Sequence, residues 1–379
     1  MAGREKTLRR VYQVQDIIAA MERWAPAALA YEWDRAGLHT GAPDDTVKKV
    51  VACLTVTEAV LAAARKAQAE MIVSHHPLIW EPLRTLRTDQ PQARLCVELA
   101  AAGIACFSAH TSLDVAPGGV NALLAAKLGL EQPRVLFPAP QGAQVKLVTF
   151  VPESHLRAVR DAMAAAGAGV IGEYTYCSFF APGTGTFLPS AKAVPFSGQK
   201  GKVNEEPELR LEMLTPKAWL GDVLKAMRSA HPYEEPAYDI VTLENRDTSI
   251  GLGMRGELPK GMTLAALARE VCQALEVSHV RIVDDPKRRV QRVGVLGGSG
   301  GGEIAKLPQD LDVYVTGDVR YHDAWEAVAR GIAVIDAGHG GTEKFIAPAI
   351  ADYLSRELPG LRTRAIIEPD LFRPVLRQE

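Results

Sequence analysis

Four short stretches carry residue types that could do chemistry: "SHHP" at 74–77, "SAHTSLD" at 108–114, "TGDVRYHD" at 316–323 and "DAGHGGTE" at 336–343. Each follows an apolar run, and each sets histidine beside a carboxylate or a second histidine. Five of the nine histidines (His75, His76, His110, His322 and His339) fall in them, whereas His39, His155, His231 and His279 show no such placement. A mixed imidazole and carboxylate donor set suits a hard-to-borderline divalent ion such as Zn, Mn, Fe, Ni or Co. In an open α/β sheet ligands bind beyond the carboxyl ends of strands, so residues at these places can converge.

Spacing adds detail. Adjacent side chains on an extended strand point to opposite sides, which keeps His75 and His76 from chelating one ion together. Pro77 disturbs the strand nearby, so the two neighbours suit two ions better than one. His339 and Glu343 lie four apart and share a face if a helix begins that early. Asp114 stands four after His110. Taken singly, a histidine at a strand end is more often a hydrogen-bonded structural residue than a ligand, and an acid beside a helix start is usually a cap or dipole partner; four such clusters at equivalent positions weaken that reading, and spacing alone leaves both open.

Two further stretches could bind or react. "GVLGGSGGG" at 294–302 follows a strand, so its N–H groups could receive phosphate. It lacks the Lys and Ser/Thr of a Walker motif, and a close-packed turn is the preferred reading. "HPYEEPAYD" at 231–239 sets Glu234 beside Glu235, a pair better suited to structural or interface use than to acid-base work.

Positioning these residues requires a β/α framework. Strand-length apolar runs alternate with helical patterns up to about residue 133, as in "VKKVVACLTV", "TEAVLAAARKAQA" with Thr57 as N-cap, and "EMIVS". From about 144 the order becomes βα(ββ)αβ, a ferredoxin-like α+β unit that could fold alone. After about 249 the β/α rhythm returns. The expected organisation is therefore an α/β core split into 1–135 and 249–379 by an inserted domain at 136–248.

The 379-residue chain balances 43 Lys and Arg against 45 Asp and Glu, for a net charge of -2. That balance argues against nucleic acid as a partner, despite the local run "DPKRRVQR". The basic opening "MAGREKTLRRVYQVQ" leads into no apolar segment, and no run of 18 apolar residues occurs, so no membrane association and a cytoplasmic location are expected. Cys53, Cys96, Cys106, Cys177 and Cys272 form no CxxC pair and read as mostly buried, inert thiols of a reducing compartment.

"WDRAGLHTG", "SHHPLIW", "SAHTSLD", "VTGDVRYHDA" and "DAGHGGTEKF", in this order, resemble the NIF-three-like family of dinuclear metal-centre hexameric proteins, homologues of GTP cyclohydrolase I type 2. Arg35 departs from the family pattern, which usually has asparagine there. "HPYEEPAYDI" followed by "GLGMRGELP" resembles the closing signature of a PII/CutA-like insertion found in longer members. The resemblance implies two divalent ions per chain on His75, His76, Asp114, His339 and Glu343, with Glu343 bridging. It implies His110, Asp318 and His322 close by, supporting ligands or transferring protons. It further implies a toroidal homohexamer and a nucleotide substrate. GTP opened at its imidazole ring or a phosphate ester would be hydrolysed; the alternative is a non-catalytic metal-binding scaffold presenting the inserted domain.

Overall fold

The apolar runs preceding the histidine stretches are the buried strands of two sheets. A computed structural model describes residues 11–375; the first ten residues of the basic opening stretch, and with them its reading as no secretory leader, lie outside that range.

In the first sheet Arg362–Ala365, Lys49–Cys53, Met71–Ser74 and Ala105–Ser108 run parallel, and Gly37–Thr40 joins the last of these antiparallel. The central strands are apolar along their length because both faces are covered. Val51, Ile72 and Cys106 pack with Val60, Leu61 and Ala64 of helix Glu58–Ala67 and with Cys96 and Leu99 of helix Pro91–Ala101. Thr57 caps the first of these helices, its hydroxyl accepting from Val60 N at 3.2 Å, an arrangement worth about 1 kcal/mol.

The second sheet runs Arg281–Val283, Ala333–Asp336, Val313–Thr316, Arg289–Val295, Gly251–Thr263, Glu131–Pro138. Its three inner β/α strands are parallel and the flanking pairs antiparallel. Tyr314, Val334, Leu311, Ile304 and Ala327 form its buried cluster. "GLGMRGELP", expected to close the insertion, is instead part of the 13-residue strand Gly251–Thr263. Gly253, at φ +69, allows the close approach, since a Cβ there would stand 2.8 Å from Val295 O.

The chain divides into two compact units, one reaching to Pro138 and resuming at Gly251, the other Ala139–Ile250. The limits fall at 138 and 251, not at 135 and 249, because Glu131–Pro138 pairs with Gly251–Thr263 up to the register Pro138↔Gly251. The second unit has strands Ala143–Val151, Ser178–Phe187, Asn204–Pro216 and Tyr238–Arg246 with helices Leu156–Ala165 and Leu220–Ala230. Its sheet order, fourth-first-third-second and antiparallel throughout, is the ferredoxin-like order. Leu147, Val159, Met163, Leu211 and Met227 make its own core.

No helix among the described residues is long and apolar enough to cross a membrane. Cys53, Cys96 and Cys106 are buried, and burial pushes their thiols above the usual range.

Candidate metal centre

His75 and His76 continue the strand Met71–Ser74 into a turn. Their N–H groups still donate to Cys53 O and Leu54 O, at 3.1 and 2.8 Å. The hydroxyls of Ser74 and Ser108 lie 2.8 and 3.1 Å from the His76 carbonyl oxygen and hold the turn. The imidazole centroids are 5.2 Å apart. Both rings therefore border one space, where a fully extended strand would have sent them to opposite faces.

All four histidines of this region have a partner on Nδ1. Ala109 O faces that of His75 at 3.0 Å, Thr55 Oγ1 that of His76 at 2.7 Å, Asp34 Oδ1 that of His110 at 2.8 Å, and Asp318 Oδ2 that of His339 at 2.7 Å. A carbonyl or carboxylate oxygen only accepts, so His75, His110 and His339 donate from Nδ1. When such a ring is neutral its Nε2 is a free lone pair, the tautomer that metal-ligating histidines adopt.

The other nitrogens meet two carboxylates. His76 Nε2 and His339 Nε2 lie 3.0 and 3.1 Å from Glu343 Oε2, and 3.3 Å from each other. His75 Nε2 lies 3.9 Å from Glu343 Oε1 and 3.5 Å from Asp114 Oδ1. His75 Nε2 and Asp114 Oδ1 are buried without a hydrogen-bond partner, which is costly unless something else satisfies them. A cation between them would do so. Donor atoms of His75, His110 and Asp114, and of His75, His76 and Glu343, lie within 4.8 Å of one another in each set. The residues present fit a divalent-metal site of nitrogen and oxygen donors.

Burial disfavours charge on His75, Asp114, Glu343, His339 and Asp34, and the neighbours decide which keep it. Burial holds the His75 ring neutral, down to about 3, despite the Glu343 carboxylate. Burial and the nearby Glu343 push Asp114 well above the carboxylate range. Burial also works to raise Glu343, but hydrogen bonds from His339 and His76 outweigh it and hold the acid below its ordinary range. For His339 burial works downward, and Glu343 and then Asp318 carry it up to about 9. Asp34 is opposed by burial too, yet its bonds with His110 and Thr111 bring it down to about 2.

The glycine loop serves this cluster by packing. Gly297 N donates to Asn121 Oδ1 and Gly298 N to Thr342 Oγ1, both at 2.9 Å, so these two N–H groups are engaged within the protein. Gly298 sits at φ +69, and a Cβ there would overlap Glu343 Oε1 and come within 3.3 Å of His339 Nε2. Helix His339–Glu343 begins at the histidine, which puts the two side chains on one face.

The sequence-derived residues divide as follows. His75, His76, His110, Asp114, His339 and Glu343 come together, and Asp318 reaches the cluster through His339. Asp318 takes a left-handed backbone, φ +53, as it does so. His322 is exposed on helix Tyr321–Arg330 with its ring against Tyr321; no contact joins it to the cluster among the described residues. Glu234 accepts from Val194 N at 2.9 Å within the second unit, and His231 bonds Phe150 O there. Asp34 and Thr55, which orient two of the histidines, were not singled out from sequence. Asp34 stands inside "WDRAGLHTG", but nothing in that stretch says that its carboxylate reaches position 110.

A family model described as Duf34/NIF3 (NGG1p interacting factor 3) matches residues 12–369. The chain belongs to the Duf34/NIF3 family. The motif resemblance is thereby borne out along nearly the whole sequence. Among Duf34/NIF3 relatives, a "GTP cyclohydrolase 1 type 2 homolog" of Halalkalibacterium halodurans is 39% identical over 345 residues, covering 91% of this chain and 92% of the relative. One of the same name from Bacillus subtilis is 42% identical over 326 residues, covering 86% and 87%. The crystal structure of a Bacillus cereus protein related to NIF3 is similar in fold at 38% identity and TM-score 0.83, covering 97% of this chain and all of that one, 100%.

Proposed function

We propose that this Duf34/NIF3 chain holds two divalent ions, drawn from Zn, Mn, Fe, Ni or Co, and hydrolyses a nucleotide with them. The observation that carries the reading is the split of the Glu343 carboxylate, with Oε2 turned to His76 and His339 and Oε1 toward His75, whose Nε2 also faces Asp114. His75 and Asp114 would hold one ion, His76 and His339 the other, and Glu343 would bridge. Divalent ions held by these residues would supply Lewis acidity and a water made nucleophilic at neutral pH. His110, its Nδ1 fixed by Asp34, would move a proton from Nε2; Asp318 orients His339. The name carried by the curated relatives makes GTP the first substrate to try, and a phosphate ester would use the same groups.

A second reading is a non-catalytic metal-binding scaffold. It is favoured by the unit Ala139–Ile250, which contributes none of the candidate ligands. In either reading we take the core to assemble as a toroidal homohexamer and the ferredoxin-like unit to be of the PII/CutA kind.

Metal per chain, measured by plasma mass spectrometry on untagged protein purified without chelator, tests the site. Two ions in the wild type, fewer in His75→Ala and Glu343→Ala, is the expected result; none, with none regained on titration, overturns it. GTP turnover under the retained metal then separates the readings: His110→Ala that keeps its metal but loses turnover supports hydrolysis, and a metal-loaded wild type without turnover of GTP or of a phosphate ester leaves the scaffold.

A further inference from the structure

Two large aromatic side chains stand in water beside the cluster. Trp33 is 54% and Trp80 42% exposed, which leaves apolar ring surface that a flat partner could cover. Their rings lie 6.0 Å apart at 62°, and both present to His110, at 6.3 Å and 74° for Trp33 and 5.7 Å and 88° for Trp80. His110 in turn lies 5.4 Å from the ring of His75. A ligand lying on the indoles is thus one imidazole away from the candidate metal ligands.

Trp33 is held in place. Tyr31 stacks on Trp33 at 5.6 Å with the planes 5° apart. Tyr31 N donates to Thr111 Oγ1 at 3.0 Å, and Asp34, the residue after Trp33, accepts from Thr111 N at 2.9 Å as well as from His110. The same carboxylate that orients His110 therefore fixes the turn carrying Trp33. Preorganised aromatic faces suit a flat π system, and stacking is tolerant of which base is bound.

We propose that Trp33 and Trp80 form an aromatic corner for the heteroaromatic base of a nucleotide substrate, one indole stacking on the base while the other, 62° to it, meets its edge, and that this corner seats the base against His110. The assignment rests on the hydrolase reading above and names the part of the substrate that this face recognises. Sugar and phosphates receive no contact from the indoles, so the corner contributes to binding of the base alone.

The test is binding of GTP, ATP and inorganic tripolyphosphate to metal-loaded protein by calorimetry, for the wild type and for Trp33→Leu, Trp80→Leu and the corresponding Phe variants. Each Leu variant is expected to weaken both nucleotides by about tenfold or more while tripolyphosphate is unchanged, and each Phe variant to recover most of the loss. Metal content and thermal midpoint, measured on the same samples, show that fold and ions are retained. Leu variants that bind nucleotide like the wild type, a parallel loss of tripolyphosphate, or a wild type that binds neither nucleotide overturns the corner. Guanosine on chelated protein, followed by saturation-transfer NMR, keeps the two failures apart. Base contact there that both Leu variants abolish supports the corner even if the protein takes up no metal, and no base contact counts against it.

Discussion

His75 Nε2 and Asp114 Oδ1 face each other across 3.5 Å, both buried and neither with a hydrogen-bond partner. Such a pair costs stability unless a cation joins it. Asp114→Asn is therefore expected to change sign with conditions. In chelator it should match or exceed the wild type, by about 1 kcal/mol, because a carboxyl close to Glu343 is removed. At saturating metal it should fall below the wild type, since a ligand bound only by the folded state stabilises by about 2.7 kcal/mol at one hundred times its dissociation constant. Urea unfolding in both conditions checks this; one sign throughout would count against a cation between the two residues.

Asp34 is the partner that sets the His110 tautomer. Asp34→Asn should lower metal affinity or turnover by about 10–100-fold, the range expected when a group behind a histidine is lost. Thr111→Val removes the hydroxyl that bonds Asp34 and accepts from Tyr31 N, leaves the Asp34–His110 bond in place, and should have the smaller effect. Equal effects would mean that the turn matters and the tautomer does not.

Gly298 is expected to resist substitution. Gly298→Ala adds a Cβ against Glu343 Oε1 on a backbone that disfavours side chains, at a cost of about 1–3 kcal/mol. Because the atom displaced belongs to the bridging candidate, metal content should fall together with the unfolding midpoint. A stable variant with full metal content would show that the loop does not position the carboxylate. Gly302→Ala, where a Cβ meets nothing within 4 Å, is the control.

Pro138 and Gly251 are paired neighbours in the core sheet. Replacing Ala139–Ile250 by a two-residue Asn-Gly turn should therefore leave a core that unfolds cooperatively and binds the same number of ions per chain. Denaturation and metal analysis of the shortened chain check it. An unfolded product would show that the core depends on the other unit.

Much of this was legible in the sequence where the chain follows its own local rules. Thr57 before an amphipathic run announced a capped helix, and the apolar runs ending at Ser74 and Ser108 are buried parallel strands. "GLGMRGELPKGMT" did not announce a strand, because its four glycines and a proline read as turns while its pairing with two other strands overrides that preference. The cluster was legible in part. Each histidine stretch marks a strand end, but the space that Glu343 Oε1 occupies is left open by Gly298, which packs from another loop. His322 carries the same local signature as the others but is exposed with its ring against Tyr321; its neighbours in sequence do not reveal which way its helix faces.

His76 and Glu343 touch although 267 positions separate them in the chain. The earlier ligands leave the ribosome long before the later ones exist, and neither set alone offers the arrangement that a pair of ions needs. Capture of the full pair at the proposed site would therefore wait until the second half of the core has closed on the first, although His75, His110 and Asp114 all come from the first half. An ion on His76, His339 and Glu343 would act as a final clasp on a finished topology: it would slow the opening of the core and leave the speed at which its two halves find each other unchanged.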